Sequence, residues 1–370
     1  MICYIELLNF FGGKNKMKKF TKILSLLLCL AMLLSVLISC ASKTDGKQNN
    51  SNADDNAVQE LEGDFYDENG LHYVALDTSA KTCEVSVGNA KELKEIVIPE
   101  TQQGFTVTSI AKNGFANCEK LESISIPKTI ESIGTLAFLN CENLATIELA
   151  GDAALKKIAY GAFQNTAYYN DANNWQNGVF YFGKYLIEAE KTMISCEIKD
   201  GTKVIAENAF YGCTTMTSLT VPASVKYIGA FAFNNCKNLS VKISDLKAWC
   251  SIEFANHTVN PLSLSSSKLV LNGAQVTDLY ITSDITSVSD YAFYGYKALN
   301  TVYFSKEIKT IGTKAFDGAG TNNLQYTTET IEGATIITYH VVYEGSQNDW
   351  KAVQKSGAGI PGNDHVDFQS

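Results

Sequence analysis

The ten cysteines are the residues of this sequence that could take part in the largest number of chemical reactions. A cysteine thiolate can attack a substrate, hold a metal ion or join a disulfide. Four of the cysteines recur at one position of a repeated pattern, namely Cys118, Cys141, Cys213 and Cys236. A recurring position favours a structural role, in which a small buried thiol offers a weak hydrogen bond to the backbone of its turn. Disulfides between adjacent turns are the alternative, although the seven cysteines after residue 40 cannot all pair.

Sequence motifs for catalysis or metal binding are missing. The four histidines, which form no H-x-x-x-H pair, are His72, His257, His340 and His365. No C-x-x-C, G-x-S-x-G or phosphate-binding loop occurs either. We therefore predict a non-catalytic protein with no catalytic residue, no metal site and no cofactor. A hydrolase is the alternative, because carboxylates that only folding brings together leave no motif in the sequence.

The elements that position these residues belong to a repeat, which is marked by a recurring phenylalanine. Its members are Phe115, Phe138, Phe163, Phe210, Phe233, Phe293 and Phe316. The basic spacing is 23 residues, and the longer intervals contain insertions. Ahead of each phenylalanine, an apolar pair such as Ile124 and Ile126 alternates with a polar residue, as in a half-buried strand. A period of this length predicts a stacked array of short strands that share one core.

The pattern resembles the BspA-like leucine-rich repeats of bacterial surface proteins, whose units read roughly L-x-x-I-x-I-P…V-x-x-I-G-x-x-A-F-x-x-C. The resemblance covers about residues 93 to 353. It implies a repeat solenoid of about 23-residue units, mostly short β-strands stacked in a right-handed coil, with an N-terminal β-hairpin cap. It also implies a function in adhesion or in recognition of host or neighbouring-cell proteins or glycans.

Composition and pattern divide the chain into five parts. They are a lipoprotein signal peptide at 1–39, a flexible tether at 40–60, an N-terminal cap at 61–92, a repeat array at 93–342 with insertions near 166–192 and 244–275, and a C-terminal cap and tail at 343–370. The tether is polar and has too few apolar residues to fold. The tail after Pro361 is also polar, and we expect it to be loose.

The leading segment predicts a lipid anchor. Three lysines and an apolar run precede the sequence Leu37-Ile38-Ser39-Cys40, which resembles a lipobox. The resemblance implies that Cys40 is lipidated and that the protein is extracytoplasmic, anchored to the bacterial cell membrane and exposed at the surface. An ordinary signal peptide and a short anchor helix are the alternatives. Met17 heads a typical signal sequence, which leaves Met1 and Met17 as two possible starts.

The charge of the chain argues against a nucleic-acid partner. Its formal net charge is −9, and all 30 of its basic residues are lysines. Planar bidentate recognition of phosphate depends on arginine, and an acidic protein is repelled by a phosphate backbone. We therefore expect protein or glycan partners and no nucleic acid.

The predicted strands offer a surface for binding. If the isoleucines of each strand point inward, the residues between them point outward along the whole stack. These candidate ligand-binding residues are Ser123, Ser125, Thr146, Glu148, Ser218, Thr220, Asp278, Tyr280, Thr301 and Tyr303. A glycan-capture module is one alternative, and it requires Trp175 and Trp249 to be exposed together with Tyr280 and Tyr303. A structural envelope protein without a specific ligand is the other.

Overall fold

The computed structural model describes residues 63–151, 155–332, 334–355 and 357–369. These residues belong to one compact unit, which spans Glu60–Ser370. The predicted signal peptide, the lipidation of Cys40 and the tether lie outside the described residues. None of the helices that the structure describes is long and apolar enough to cross a membrane.

The first block of the array contains ten strands. They are β1 (Asp64–Tyr66), β2 (His72–Asp77), β3 (Thr82–Ser86), β4 (Glu95–Val97), β5 (Thr101–Gln102), β6 (Phe105–Ile110), β7 (Ser123–Ile126), β8 (Ser132–Ile133), β9 (Thr146–Leu149) and β10 (Lys157–Ile158). Antiparallel strands β1 to β3 form the N-terminal hairpin element, and β3 then pairs in parallel with β6. Strands β6, β8 and β10 continue that sheet, while β4, β7 and β9 form a second parallel sheet, the first face sheet.

The first insertion precedes the second block. It forms α1 (Ala167–Asn170), a 3₁₀ turn (Ala172–Asn174), β11 (Trp175–Gln176), β12 (Val179–Phe182) and β13 (Tyr185–Ala189). The second block adds β14 (Ser195–Glu197), β15 (Val204–Ile205), β16 (Ser218–Thr220), β17 (Tyr227–Ile228), β18 (Ser240–Ile243), β19 (Glu253–Phe254), β20 (Lys268–Leu271) and β21 (Ala274–Gln275). Parallel pairing joins β13, β15, β17 and β19 into one sheet. It joins β14, β16, β18 and β20 into the second face sheet.

The second insertion and the third block complete the chain. The insertion forms α2 (Leu246–Cys250) and two 3₁₀ turns, His257–Val259 and Pro261–Ser263. The third block contains β22 (Asp278–Ile281), β23 (Ser287–Val288), β24 (Thr301–Phe304), β25 (Thr310–Ile311), β26 (Thr327–Ile331), β27 (Ala334–Thr338), β28 (Val341–Tyr343), α3 (Gln347–Ala352), a 3₁₀ turn (Asn363–His365) and β29 (Asp367–Phe368). Strands β22, β24, β28 and β29 pair in parallel as the third face sheet.

The repeated phenylalanines form the spine of the core, and all of those named above are buried. Phe138 stacks on Phe115 and on Phe163, with ring centroids 5.6 and 5.8 Å apart. The pairs Phe210–Phe233 and Phe293–Phe316 stack at 5.2 and 5.1 Å. The alternation of buried isoleucines with exposed or half-buried polar residues along β7 and β9 follows the predicted pattern. The predicted repeat solenoid is confirmed.

Backbone hydrogen bonds join each phenylalanine turn to the next one. In each pair of stacked turns, three backbone amides donate to carbonyls of the following turn. They belong to the phenylalanine itself, to the residue two positions before it and to the residue two positions after it. In the first pair of turns these bonds are Asn113 to Thr135 at 3.0 Å, Phe115 to Ala137 at 2.8 Å and Asn117 to Leu139 at 2.8 Å. Because the same three bonds recur from turn to turn, the rings are held in register along the stack.

The structure differs from the sequence expectations in three places. The buried residues form two clusters instead of one shared core, and the phenylalanine rings form three separate stacks, because the two insertions separate the turns. The end of the chain is not loose, since Asp367 and Phe368 pair with β28. The hairpin of β26 and β27 was not predicted, and all its described strand residues are exposed.

Candidate recognition surfaces

The first face sheet places four of the predicted residues in register. Ser123 lies beside Thr146, and Ser125 lies beside Glu148. Their side chains are half-buried or exposed, whereas the isoleucines between them are buried. The Ser125 hydroxyl donates to Glu148 at 3.1 Å, so the two turns share a polar contact on this surface. The outward side chains of this sheet are polar except for the exposed Val97 of β4, which lies beside Ser125.

The second face sheet is similar in character. Ser218 and Thr220 are half-buried and pair on one side with β14 and on the other with β18. Their neighbours in register include Glu197 and Lys242, which are exposed and carry opposite charges. This sheet therefore presents short hydroxyl side chains with a glutamate on one side and a lysine on the other. None of its described strand residues is aromatic.

The third face sheet carries the exposed aromatic pair that the sequence indicated. Tyr280 lies beside Tyr303 in register, and Asp278 lies beside Thr301. The two tyrosine rings are parallel within 5° and their centroids are 4.5 Å apart. Tyr280 is 57% exposed, so one face of the stack is open to solvent. Partial burial, with Tyr280 and Asp278 close by, raises the pKa of Tyr303 above the usual value, so the Tyr303 phenol is neutral at physiological pH.

The two tryptophans do not join this pair. Trp249 is buried and its indole Nε1 donates to the Ala292 carbonyl at 3.0 Å, which ties the second insertion to the third block. Trp175 is half-buried, and its Nε1 donates to the Tyr169 carbonyl at 2.8 Å. The four aromatic residues are therefore not exposed together, which is what the sequence-based glycan alternative required. Trp249 fastens the second insertion to the third block, whereas Trp175 packs against Tyr169 and Phe180 within the first insertion.

Comparison with known proteins places this architecture in a family. A family model described as "BspA type Leucine rich repeat region (6 copies)" matches residues 62–194, 181–269 and 265–338. The chain belongs to this family. No curated protein matches the sequence.

Several solved structures are similar to this chain at low identity. A leucine rich cell surface protein from Faecalibacterium prausnitzii is 19% identical, with 69% of this chain and 74% of that chain covered and a TM-score of 0.30. A T. pallidum leucine rich repeat protein is 20% identical, with 68% and 87% covered and a TM-score of 0.28. The pneumococcal vaccine antigen PcpA is 21% identical, with 69% and 68% covered and a TM-score of 0.29. At these values the three structures carry no information about a ligand.

The recurring cysteines of this BspA-type array are buried free thiols. The Cys141 thiol donates to the Phe115 carbonyl at 2.9 Å, and the Cys236 thiol donates to the Phe210 carbonyl at 3.2 Å. Burial raises the pKa of Cys236 to about 12, so this thiol is protonated and unreactive near neutral pH. This geometry agrees with the structural role that their repeated position indicates.

The histidines of the described residues make separate local contacts. His72 contacts Asp64 at 2.6 Å in the N-terminal hairpin, and His340 contacts the Asn300 carbonyl at 2.8 Å. Across the ranges that the structure describes, no three His, Cys, Asp or Glu side chains are placed to hold a metal ion.

Three exposed aromatic residues on the phenylalanine turns were missed by the sequence analysis. Tyr160, Tyr211 and Phe231 are 52%, 41% and 51% exposed. Each stands within three residues of a repeat phenylalanine, at a position that is polar or small in most other turns. An aromatic residue at a position where the repeat does not require one was the signal that could have revealed them.

Proposed function

We propose that this protein is a lipid-anchored bacterial cell-surface protein whose non-catalytic array recognises macromolecules. Its partners are proteins or glycans of host or neighbouring cells, and its link to the membrane is the lipid on Cys40. Membership of the BspA-type family supports recognition or adhesion in general. The choice of surface depends on one observation, the exposed stacked pair of Tyr280 and Tyr303.

The tyrosine pair has the properties of a binding hot spot. Tyrosine has only two side-chain torsions to fix, so it offers a large contact area at a low entropic cost. Stacking holds each ring against its neighbour in the free protein, which lowers that cost further. Asp278 and Thr301 lie beside the pair and supply polar groups that can fix the orientation of a partner. Aromatic residues of this kind dominate the free energy of many protein interfaces.

Lipid anchoring can be tested by replacing the predicted acceptor. In cells that express the full chain, Cys40→Ser should remove the lipid and release the protein from the membrane fraction. A single pair of acyl chains supplies most of the membrane affinity of an acidic protein, so no other contact should compensate. Equal retention of the wild type and the variant in the membrane fraction would contradict anchoring through Cys40.

Recognition can be tested by measuring saturable binding. The labelled full chain is applied to extracellular-matrix proteins, mucins and whole bacterial cells, with unlabelled chain as competitor. Recognition predicts at least one surface on which binding saturates and is displaced by the competitor. Uniform, non-displaceable binding over the whole panel would instead favour a structural envelope protein without a specific ligand.

A further inference from the structure

A cleft opens where the first insertion interrupts the array. The turn of Phe163 forms one wall, the turn of Phe210 forms the other, and β13 of the insertion closes the side. The cavity has a volume of about 90 Å³. Because a water molecule occupies about 30 Å³ of liquid volume, this space holds roughly three waters or one polar edge of a larger molecule.

Backbone amides that are paired within each block of turns lack a backbone acceptor at this cleft. The amides of Asn113, Phe115 and Asn117 all donate to the following turn. At the interruption, the equivalent amides of Gly161 and Phe163 have no backbone carbonyl acceptor among the described residues. Both residues line the cleft. An amide donor without a backbone acceptor favours an oxygen-bearing ligand, because a buried donor left unpaired costs free energy.

Acceptor groups lie on the opposite side of the same cleft. Glu188 accepts a hydrogen bond from the Tyr169 hydroxyl at 2.9 Å and lies 3.4 Å from the Lys191 ammonium. The Glu207 carboxylate is mostly buried and lies 3.5 Å from the Lys157 ammonium. Each carboxylate has two oxygens and about four acceptor positions, so these contacts leave capacity for the hydroxyl groups of a ligand.

Two exposed tyrosines stand at the mouth of the cleft. Tyr160 belongs to the wall of the Phe163 turn and Tyr211 to the wall of the Phe210 turn. They are 52% and 41% exposed, so each ring presents an apolar surface to solvent. A sugar ring has one apolar face of C–H groups and a rim of hydroxyls. Tyrosine faces at the mouth, with donors and acceptors inside, match both of these features.

We propose that this cleft binds the terminal residue of a neutral glycan. One edge of the sugar enters the cavity, where its hydroxyls accept from the Gly161 and Phe163 amides and donate to the Glu188 and Glu207 carboxylates. The sugar ring remains at the mouth against Tyr160 and Tyr211. Anionic sugars are disfavoured, because Lys191, which lines the cleft, already pairs with Glu188, and burying a charge without a partner costs free energy.

The second interruption of the array differs from the first. There the amides of Phe231 and Phe233 also have no backbone acceptor among the described residues. The buried Trp249 and Asn260 of the insertion lie against the following turn. Asn260 donates to the Tyr291 and Ala292 carbonyls at 2.6 and 2.8 Å, and Trp249 donates to Ala292 as well.

The first insertion instead packs Phe182 against Phe163, with ring centroids 5.1 Å apart. Its Ala189 amide donates to the Ala209 carbonyl at 2.8 Å. A cavity of about 90 Å³ remains beside these contacts.

The proposal goes beyond the recognition function of the third face sheet and is tested separately. The probes are the methyl glycosides of glucose, galactose, mannose and N-acetylglucosamine, titrated into the full chain and followed by saturation-transfer NMR. At least one of them should bind saturably. The double variant Tyr160→Ala with Tyr211→Ala should weaken that binding about tenfold or more, which corresponds to about 1.4 kcal/mol.

Matched variants keep the result interpretable. Tyr66→Ala with Tyr326→Ala removes two other exposed tyrosines and should leave glycoside binding unchanged. If the cleft variant unfolds early, Tyr211→Ser alone serves as the same test, since that side chain is exposed. A methyl sialoside should bind more weakly than the neutral glycosides. The proposal is overturned if no neutral glycoside binds saturably, if the sialoside binds more tightly, or if the cleft variant binds as well as the wild type.

Discussion

Individual residues adopt a left-handed backbone conformation at two positions of every phenylalanine turn. Two residues after the ring, the chain carries only asparagine or glycine, as at Asn117 with φ of 60° and Gly295 with φ of 68°. These residue types tolerate positive φ at little cost. Two residues before the ring the rule is broken, since bulky residues such as Leu136 and Phe231 have φ of 56° and 57°. The surrounding hydrogen bonds force this conformation on them.

Replacing Phe231 by asparagine should stabilise the protein. Phe231 is half-exposed and has positive φ, while Asn208 occupies the same position one turn earlier with φ of 59°. Relief of the backbone strain should raise the free energy of unfolding by about 1 kcal/mol, measured from the midpoint of urea unfolding. Tyr211→Asn, which removes an exposed aromatic residue without positive φ from the preceding turn, serves as the control. A lower urea midpoint for the Phe231→Asn variant would contradict the strain argument.

The cysteines should be present as inaccessible thiols. All seven in the described residues, from Cys83 to Cys250, are buried and free. We expect a thiol reagent to label none of these seven in the native protein at pH 8, and all seven in guanidinium under non-reducing conditions. Peptide mass spectrometry assigns each label. Two or fewer labelled thiols among the seven after unfolding would favour disulfides between adjacent turns.

The same thiols predict loss of stability in alkali. Burial raises the pKa of Cys83 to about 11 and that of Cys196 to about 12, from an ordinary value of 9.0. Below pH 9 both states of the protein keep these protons, so the contribution to stability is complete. As the pH rises through 9 towards 12, the unfolded chain loses protons first, and the free energy of unfolding falls. Urea midpoints should decline above pH 9, and alanine at both sites should flatten that decline. An equally steep decline in the double variant would contradict the assignment to these thiols.

At the scale of the elements, the sequence predicted the strands and turns that recur along the chain and did not predict the elements that occur once. The spacing of phenylalanines and isoleucines predicted the turns, the core and the outward direction of Tyr280 and Tyr303. The antiparallel strands of the first insertion and the exposed hairpin of β26 and β27 occur only once each. Comparison between repeats therefore could not predict their structure. The cleft forms where the first insertion separates the turn of Phe163 from the turn of Phe210. Its position depends on how these elements pack in three dimensions, so no short sequence motif marks it.

The phenylalanine stacks should dominate the stability of their blocks. Phe138 is fully buried between two rings, at 5.6 and 5.8 Å. Phe138→Ala should lower the free energy of unfolding by about 3–5 kcal/mol, through the lost burial and the cavity that remains. Leu139→Ala, which truncates the half-buried neighbouring side chain, should cost much less. Urea unfolding followed by circular dichroism measures both changes, and equal losses would contradict a stacked spine.

At the scale of the whole molecule, the two insertions divide the binding surface into patches. The face sheets do not pair with one another, since β9 ends the first sheet and β21 pairs antiparallel at the end of the second. Each patch has its own chemistry. The first carries hydroxyls, the Glu95 and Glu148 carboxylates and Val97, the second carries hydroxyls beside a glutamate and a lysine, and the third carries the stacked tyrosines. An array built in this way can contact one large partner at several separate points.

Saturable binding of tyrosine-face variants tests the recognition proposal most directly. On a surface that binds the labelled full chain, Tyr280→Ser with Tyr303→Ser should raise the apparent Kd by more than tenfold, because each lost hot-spot residue costs about 2 kcal/mol. Tyr66→Ser with Tyr326→Ser removes an equal number of exposed tyrosines from the hairpins and should change the Kd little. An unchanged Kd for the Tyr280 and Tyr303 variant, with its melting temperature also unchanged, would contradict recognition through the third face sheet.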